Sequence, residues 1–146
     1  METRYRCATA DDATGIFVLL MLMHEEVGMF EIDQVKVMSR VLQVLESGLV
    51  FVADVGGLIV ASIGIETRAM WYSRDVYLGE TWMFVAPEFR KSRHFLKLIR
   101  MVQAYREKAG VPLVLGVFSP DGMDRKTAFF RRLFPRVVGE VYVEGL

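Results

Sequence analysis

The chain of 146 residues has one cysteine, four prolines and no excess of either charge. A lone thiol, Cys7, cannot close an internal disulfide, which excludes the stapled secreted scaffolds and fits a reducing, cytoplasmic setting. Lying in a short strand-like run, Cys7 is expected to be buried and inert. One Cys and two distant His residues lack the spacing of a structural zinc site, so no metal is expected. Eighteen basic residues balance eighteen acidic ones. No net field draws the molecule onto nucleic acid or an anionic membrane, and any anion site must be local. The apolar run 16–23 follows Asp11 and Asp12 rather than a basic flank, unlike a signal peptide. It also falls well short of the roughly twenty residues a membrane span needs, and reads as part of a strongly buried helix.

What is present is material for a core: 53% of residues are apolar and 25% charged. Nine methionines read as flexible core filler. No repeat, low-complexity tract or linker divides the sequence, so residues 1–146 are expected to form a single domain.

Residues 4–9 alternate enough for a first strand. Thr9, Asp11 and Asp12 mark a helix start, and the helix should run to Glu26 and stop at Gly28. A second helix spans 32–47, with Val35, Val37, Met38, Val41, Leu42, Val44 and Leu45 on its apolar stripe and Gly48 as its stop. Strands 49–54 and 58–66 flank the hairpin signal Gly56-Gly57. Residues 76–85 read as a long strand that Pro87 ends. Helix 92–108 follows, with Phe95, Leu96, Leu98, Ile99, Val102 and Tyr105 inward and Gly110 as terminator. Strand 111–118, expected to be buried on both faces, a basic helix 124–133 and a last strand 137–143 complete the chain. The expected class is α/β with a mixed sheet, in the order β-α-α-β-β-β-α-β-α-β. The crossover between 76 and 118 implies a parallel pair, and the hairpin implies antiparallel strands at the other end.

The segment 80–99 carries the chemistry. A strand turns into a helix, with Arg90, Lys91 and Arg93 crowding the turn and Ser92 at the helix start. Unsatisfied amides and the positive end of the helix dipole make such a turn an anion cradle, and three cations suit a pyrophosphate. A solvated basic helix cap is the bland alternative.

Val85-x-Pro87-x-x-Arg90, followed by a helix ending at Gly110, resembles the acetyl-CoA motif of the GNAT N-acyltransferases, Val-x-Pro-x-x-Arg/Gln-x-x-Gly-x-Gly/Ala. The element order resembles that family over essentially the whole chain. The resemblance implies that Met83, Phe84 and Val85 hold the pantetheine arm of acetyl-CoA. It implies too that Arg90, Lys91, Ser92, Arg93, His94 and Phe95 surround the pyrophosphate, while the next parallel strand splays away to admit the cofactor. The two family glycines are replaced by Arg93 and Phe95. Arg90-Lys91-Ser92-Arg93 is similar to the Arg-x-Ser-Arg variant of phage and prophage members.

Direct attack by an amine on a thioester needs a base for the ammonium proton and a donor for the leaving group. The resemblance points to Glu80 as the base. Strict alternation would put Glu80, Trp82 and Phe84 on one sheet face and Thr81, Met83 and Val85 on the other. A carboxylate beside Trp82 would be desolvated and its pKa raised; an ordinary paired strand Glu is the alternative. The family's usual acid, a Tyr in the last helix, aligns with Phe130, which has no proton to give; Ser119 is the substitute candidate. His24 at a helix end and the acidic residues Glu25, Glu26 and Glu31 stand where the family admits its acceptor, as does the loop bearing Trp71, Tyr72 and Arg74. Each has a solvated-surface alternative. The basic cluster Arg125, Lys126, Arg131, Arg132 and Arg136 reads as a soluble helix face, a phosphate contact or a partner surface.

The expected activity is acetyl transfer from acetyl-CoA to a primary amine of a small molecule or protein. The rival reading is a catalytically silent GNAT-shaped module that binds CoA or a protein, favoured by Phe130, Arg93 and Phe95. A nucleic-acid accessory role is weaker still, given the neutral net charge. A homodimer through strand 137–143 is a further expectation.

Overall fold

The computed structural model describes residues 1–119 and 122–146. Five strands form one mixed sheet in the order β1-β2-β3-β4-β5. They are β1 Thr3–Cys7, β2 Leu49–Val55, β3 Leu58–Ala69, β4 Val76–Val85 and β5 Leu113–Val114. The first four pair antiparallel, and β4 pairs parallel with β5 through a helical crossover. Among the described residues four helices flank them: α1 Ala13–Val27, α2 Gln34–Ser47, α3 His94–Ala109 and α4 Met123–Leu133. A 3₁₀ turn at Ala10–Asp12 leads into α1 and carries a capping box between Thr9 and Asp12. Asp33 caps α2 by accepting the Lys36 amide at 3.0 Å. Gly28 and Gly110 end α1 and α3 in the left-handed conformation, at φ 58° and 70°, as their stop signals implied.

The sheet separates two apolar layers. On one side Val50, Val52, Ile59, Trp82 and Phe84 pack with Ile16, Leu19 and Leu20 of α1 and Val41 and Val44 of α2. On the other Phe51, Ala53, Val60, Ile63, Ile65 and Leu78 pack with Leu98, Ile99 and Val102 of α3, and Phe130 and Leu133 of α4 join them. Alternation along β2 sends Val50 and Val52 one way and Phe51 and Ala53 the other.

Several expectations are corrected. Helix α1 buries one face only, leaving Val18 and Leu22 exposed; Val35 and Leu42 of α2 and Tyr105 of α3 also point outward. Cys7 is exposed, because it sits near the end of an edge strand with no element covering it. Strand 111–118 contracts to the two residues of β5 and is half-buried, since it has one neighbour and parts from it early. Residues 137–143 form no strand, and Val138, Val141 and Tyr142 are largely exposed. The β-branched and aromatic composition is there, but no strand edge is paired to it.

Candidate functional site

The parallel ladder between β4 and β5 stops after Leu78↔Leu113 and Gly79↔Val114. Beyond this point the strands diverge. The Gly116 amide, which a continuing ladder would have paired with backbone, is met instead by the Glu80 side chain, whose Oε1 accepts it at 2.9 Å. A Cβ on Gly116 would lie 3.0 Å from that oxygen, so the glycine lets carboxylate and backbone approach. Burial pushes the Glu80 carboxyl above its ordinary pKa, and the Gly116 hydrogen bond opposes this only in part.

A bulge decides what lies around Glu80. Ile65 pairs with Glu80 and Gly64 with Trp82, which leaves Thr81 as the extra residue. Strict alternation therefore fails across Thr81. Leu78 packs in the α3 layer while Trp82 and Phe84 pack in the α1–α2 layer. Glu80 shares the face of its partner Ile65, away from Trp82. Its desolvation comes from burial on the α3 side of the sheet and not from the indole. Trp82 instead donates its Nε1–H to the buried Ser62 hydroxyl at 3.0 Å, with its ring over Gly64.

The bulged Thr81 gathers a polar cluster that the sequence did not announce. Its hydroxyl donates to the Glu66 carboxylate, which also takes Arg40 of α2 at 2.5 Å. Arg68 donates to the Thr81 hydroxyl at 3.2 Å. No local motif encodes a bulge, so only the pairing of β3 with β4 reveals the cluster.

The turn after β4 is partly as expected. Pro87 starts a 3₁₀ turn, Pro87–Phe89. The Ser92 hydroxyl donates to the Phe89 carbonyl and accepts the His94 amide at 3.3 Å. The first intrahelical bond of α3 runs from Lys97 N–H to Arg93 at 3.0 Å, so the amides of Phe95 and Leu96 lie in the open first turn. Lys91 and Arg93 are exposed and make no ion pair among the described residues. Two other members are turned away. Arg90 bonds both Glu26 oxygens at 2.5 and 2.6 Å, donates to the Val85 carbonyl at 3.2 Å and lies over the Phe84 ring. His94 is buried, with Nδ1 2.9 Å from the Tyr5 hydroxyl and Phe89 beside its ring. It is neither a surface histidine nor aimed at the turn, and burial lowers its pKa. Met83 packs toward α3, Phe84 lies in the α1–α2 layer, and the Phe95 ring joins Phe129 and Phe130 between α3 and α4.

At the far end of the opening, Ser119 Oγ accepts from Lys126 Nζ at 2.6 Å. Lys126 lies one helical turn before Phe130 on α4. Phe130 is fixed among Phe95, Phe129 and Phe134, with ring centroids 5.4–5.9 Å away. A cleft of about 790 Å³ runs between α1, the 28–33 connection, α2 and the Thr81–Trp82 bulge, with Phe118 at its edge. His24 and Glu31 line it; Trp71 and Tyr72 do not, and pack on each other edge to face. Among the described residues no acidic, His or Cys cluster is suited to a metal ion. Among the described residues no helix is long and apolar enough to cross a membrane.

No protein-family model and no curated protein sequence matches the chain. Solved structures do match its fold. A possible acetyltransferase from Clostridium difficile 630 superposes with a TM-score of 0.76 at 18% identity, covering 100% of this chain and 99% of that one. AAC(6')-Iy, in complex with the bisubstrate analogue CoA-S-monomethyl-acetylneamine, gives 0.75 at 13% identity with the same coverage. Ribosomal-protein-alanine N-acetyltransferase from Brucella melitensis biovar Abortus 2308 gives 0.72 at 14% identity over 99% of both chains. The mixed sheet with two helices on each face is thus the GNAT fold.

Proposed function

We propose that the protein is an acyl-CoA-dependent N-acyltransferase that uses acetyl-CoA to acetylate a primary amine. The observation that carries this reading is the early parting of β4 and β5 with the desolvated carboxyl of Glu80 at the point of divergence. Structural neighbours of the same fold include a complex with a CoA-derived bisubstrate analogue, which supports it.

The residues present fit the cofactor. The open first turn of α3 and the free cations Lys91 and Arg93 suit a pyrophosphate, and Ser92 shapes the turn through its own hydrogen bonds. Arg90 and His94 serve as posts that fix the turn to Glu26 and Tyr5, in place of direct contacts. The gap beside Met83, Phe84 and Val85 suits the pantetheine arm. Bound acetyl-CoA would supply an activated acyl thioester. Glu80 takes the proton of the incoming ammonium, directly or through water, and its raised pKa improves it as a base. Ser119, held by Lys126, supplies a proton on the leaving-group side in place of the missing tyrosine.

Arg90-Lys91-Ser92-Arg93 supports the phage-type variant of the family, and the single cysteine supports a cytoplasmic setting. The segment 137–143 supports a homodimer, because its exposed Val138, Val141 and Tyr142 run past the open side of β5.

Thermal unfolding with and without acetyl-CoA tests the reading. A ligand at a hundredfold excess over Kd stabilises the folded state by about 2.7 kcal/mol, a rise of several degrees in Tm. That rise should shrink in Arg93→Ala. No rise at millimolar acetyl-CoA would abandon it. A second reading, a silent CoA- or protein-binding module, is favoured by Phe130, whose ring is fixed in an aromatic cluster where a donor would be needed. Stabilisation by acetyl-CoA without transfer to any of a broad amine panel would support it.

A further inference from the structure

We infer that the cleft between α1, α2 and β4 selects an acceptor amine with a single positive charge on an apolar, preferably aromatic, body, and disfavours polycations. This rests on the acyltransferase reading and adds the substrate class. The cleft's volume of about 790 Å³ lies within the usual range of small-molecule sites. Met23, Met29, Phe30, Val37, Trp82 and Phe118 are among its apolar lining. Phe30 is 75% and Phe118 54% exposed, so an apolar ligand would cover rings that now face water.

The charges in the cleft cancel. Two carboxylates, Glu31 and Asp33, stand against Lys36 and Arg40. Two of the four are also engaged: Asp33 caps α2, and Arg40 is bonded to Glu66 and Gln43, with Arg68 on the same Glu66 carboxylate keeping that cluster in balance. Glu26, a member of the local acidic run, is neutralised by Arg90. No net negative potential remains to balance a second or third ammonium, and each would lose hydration against apolar walls. A single ammonium can stand at the Thr81 end of the cleft, one residue along β4 from Glu80, while its body fills the apolar part.

Isothermal titration of 2-phenylethylamine, tryptamine, spermidine and kanamycin, with and without saturating acetyl-CoA, tests the inference. The two aromatic monoamines should bind at least about tenfold more tightly than the polycations at physiological ionic strength, with little salt dependence. Phe30→Ala should weaken 2-phenylethylamine by about tenfold while leaving Tm and acetyl-CoA affinity unchanged. Spermidine or kanamycin binding as tightly as the monoamines overturns the inference, as does failure of both aromatic amines to bind. Absence of stabilisation by acetyl-CoA overturns the acyltransferase reading instead, and the ranking of amines on the free protein still decides the selectivity of the cleft.

Discussion

Arg90 holds Glu26 through both terminal nitrogens, at 2.5 and 2.6 Å, and so ties the turn after β4 to the C-terminal end of α1. The cation of the sequence motif is thus a strut between two elements that flank the gap. The pair holds the Glu26 carboxyl below its usual pKa.

Breaking this strut should separate stability from cofactor binding. Both side chains are about one-third exposed, so Glu26→Gln should cost no more than about 1 kcal/mol. The released turn should bind acetyl-CoA more weakly, read as a smaller ligand-induced rise in Tm. The wild-type contribution of the pair is present above the ordinary Glu pKa and is lost as pH falls through the lowered one. The variant should therefore show a shallower loss of stability below pH 4.5.

Glu80→Gln should lower kcat by about 10²- to 10⁴-fold, the range for loss of a general base. The amide oxygen can still accept from Gly116, and the cost of burying a charge disappears, so Tm should hold or rise. The wild-type rate should climb with pH through an inflection above 4.5, because burial raises this group. An unchanged pH–rate profile in the variant would remove Glu80 from the base role.

Gly64→Ala should be disproportionately harmful for a one-carbon change. Its Cβ would meet the Trp82 ring at 2.6 Å, and that ring is pinned by the Ser62 hydroxyl. About 1–3 kcal/mol of destabilisation is expected, visible in chemical unfolding as a lower midpoint at constant slope.

His94 should make the α3 start acid-sensitive. Burial lowers its pKa below the unfolded value of 6.5. The unfolded chain then binds the proton first, so stability falls as pH drops from about 6.5 toward the lowered value. His94→Gln should flatten this limb, measured as Tm against pH from 7.5 to 5. The groups facing His94 are the Tyr5 hydroxyl and the Phe89 ring.

The exposed final segment predicts association. Sedimentation should show a dimer, and deletion of residues 137–146 should give a monomer of the same melting behaviour. A wild-type monomer at high concentration would refute the paired tail.

By itself the sequence determined the kinds of element and most of their ends. Helical periodicity, the Thr9 cap, the stops at Gly28 and Gly110 and the Gly56-Gly57 hairpin are local features, set by neighbours a few residues away. Thus β4 spans the residues that its composition and Pro87 implied. What only the tertiary structure decided depends on partners distant in the chain. The bulge at Thr81 arises from the register of β3 against β4 and moves Glu80 off the face of Trp82. Glu26 claims Arg90 from 64 residues away and Tyr5 claims His94 from 89, since a buried or half-buried polar group must find a partner wherever the fold brings one. The segment 137–143 marks the reverse case. Its valines and tyrosine have the composition of a strand, but a strand is stabilised by an adjacent edge, and the fold leaves this one without it.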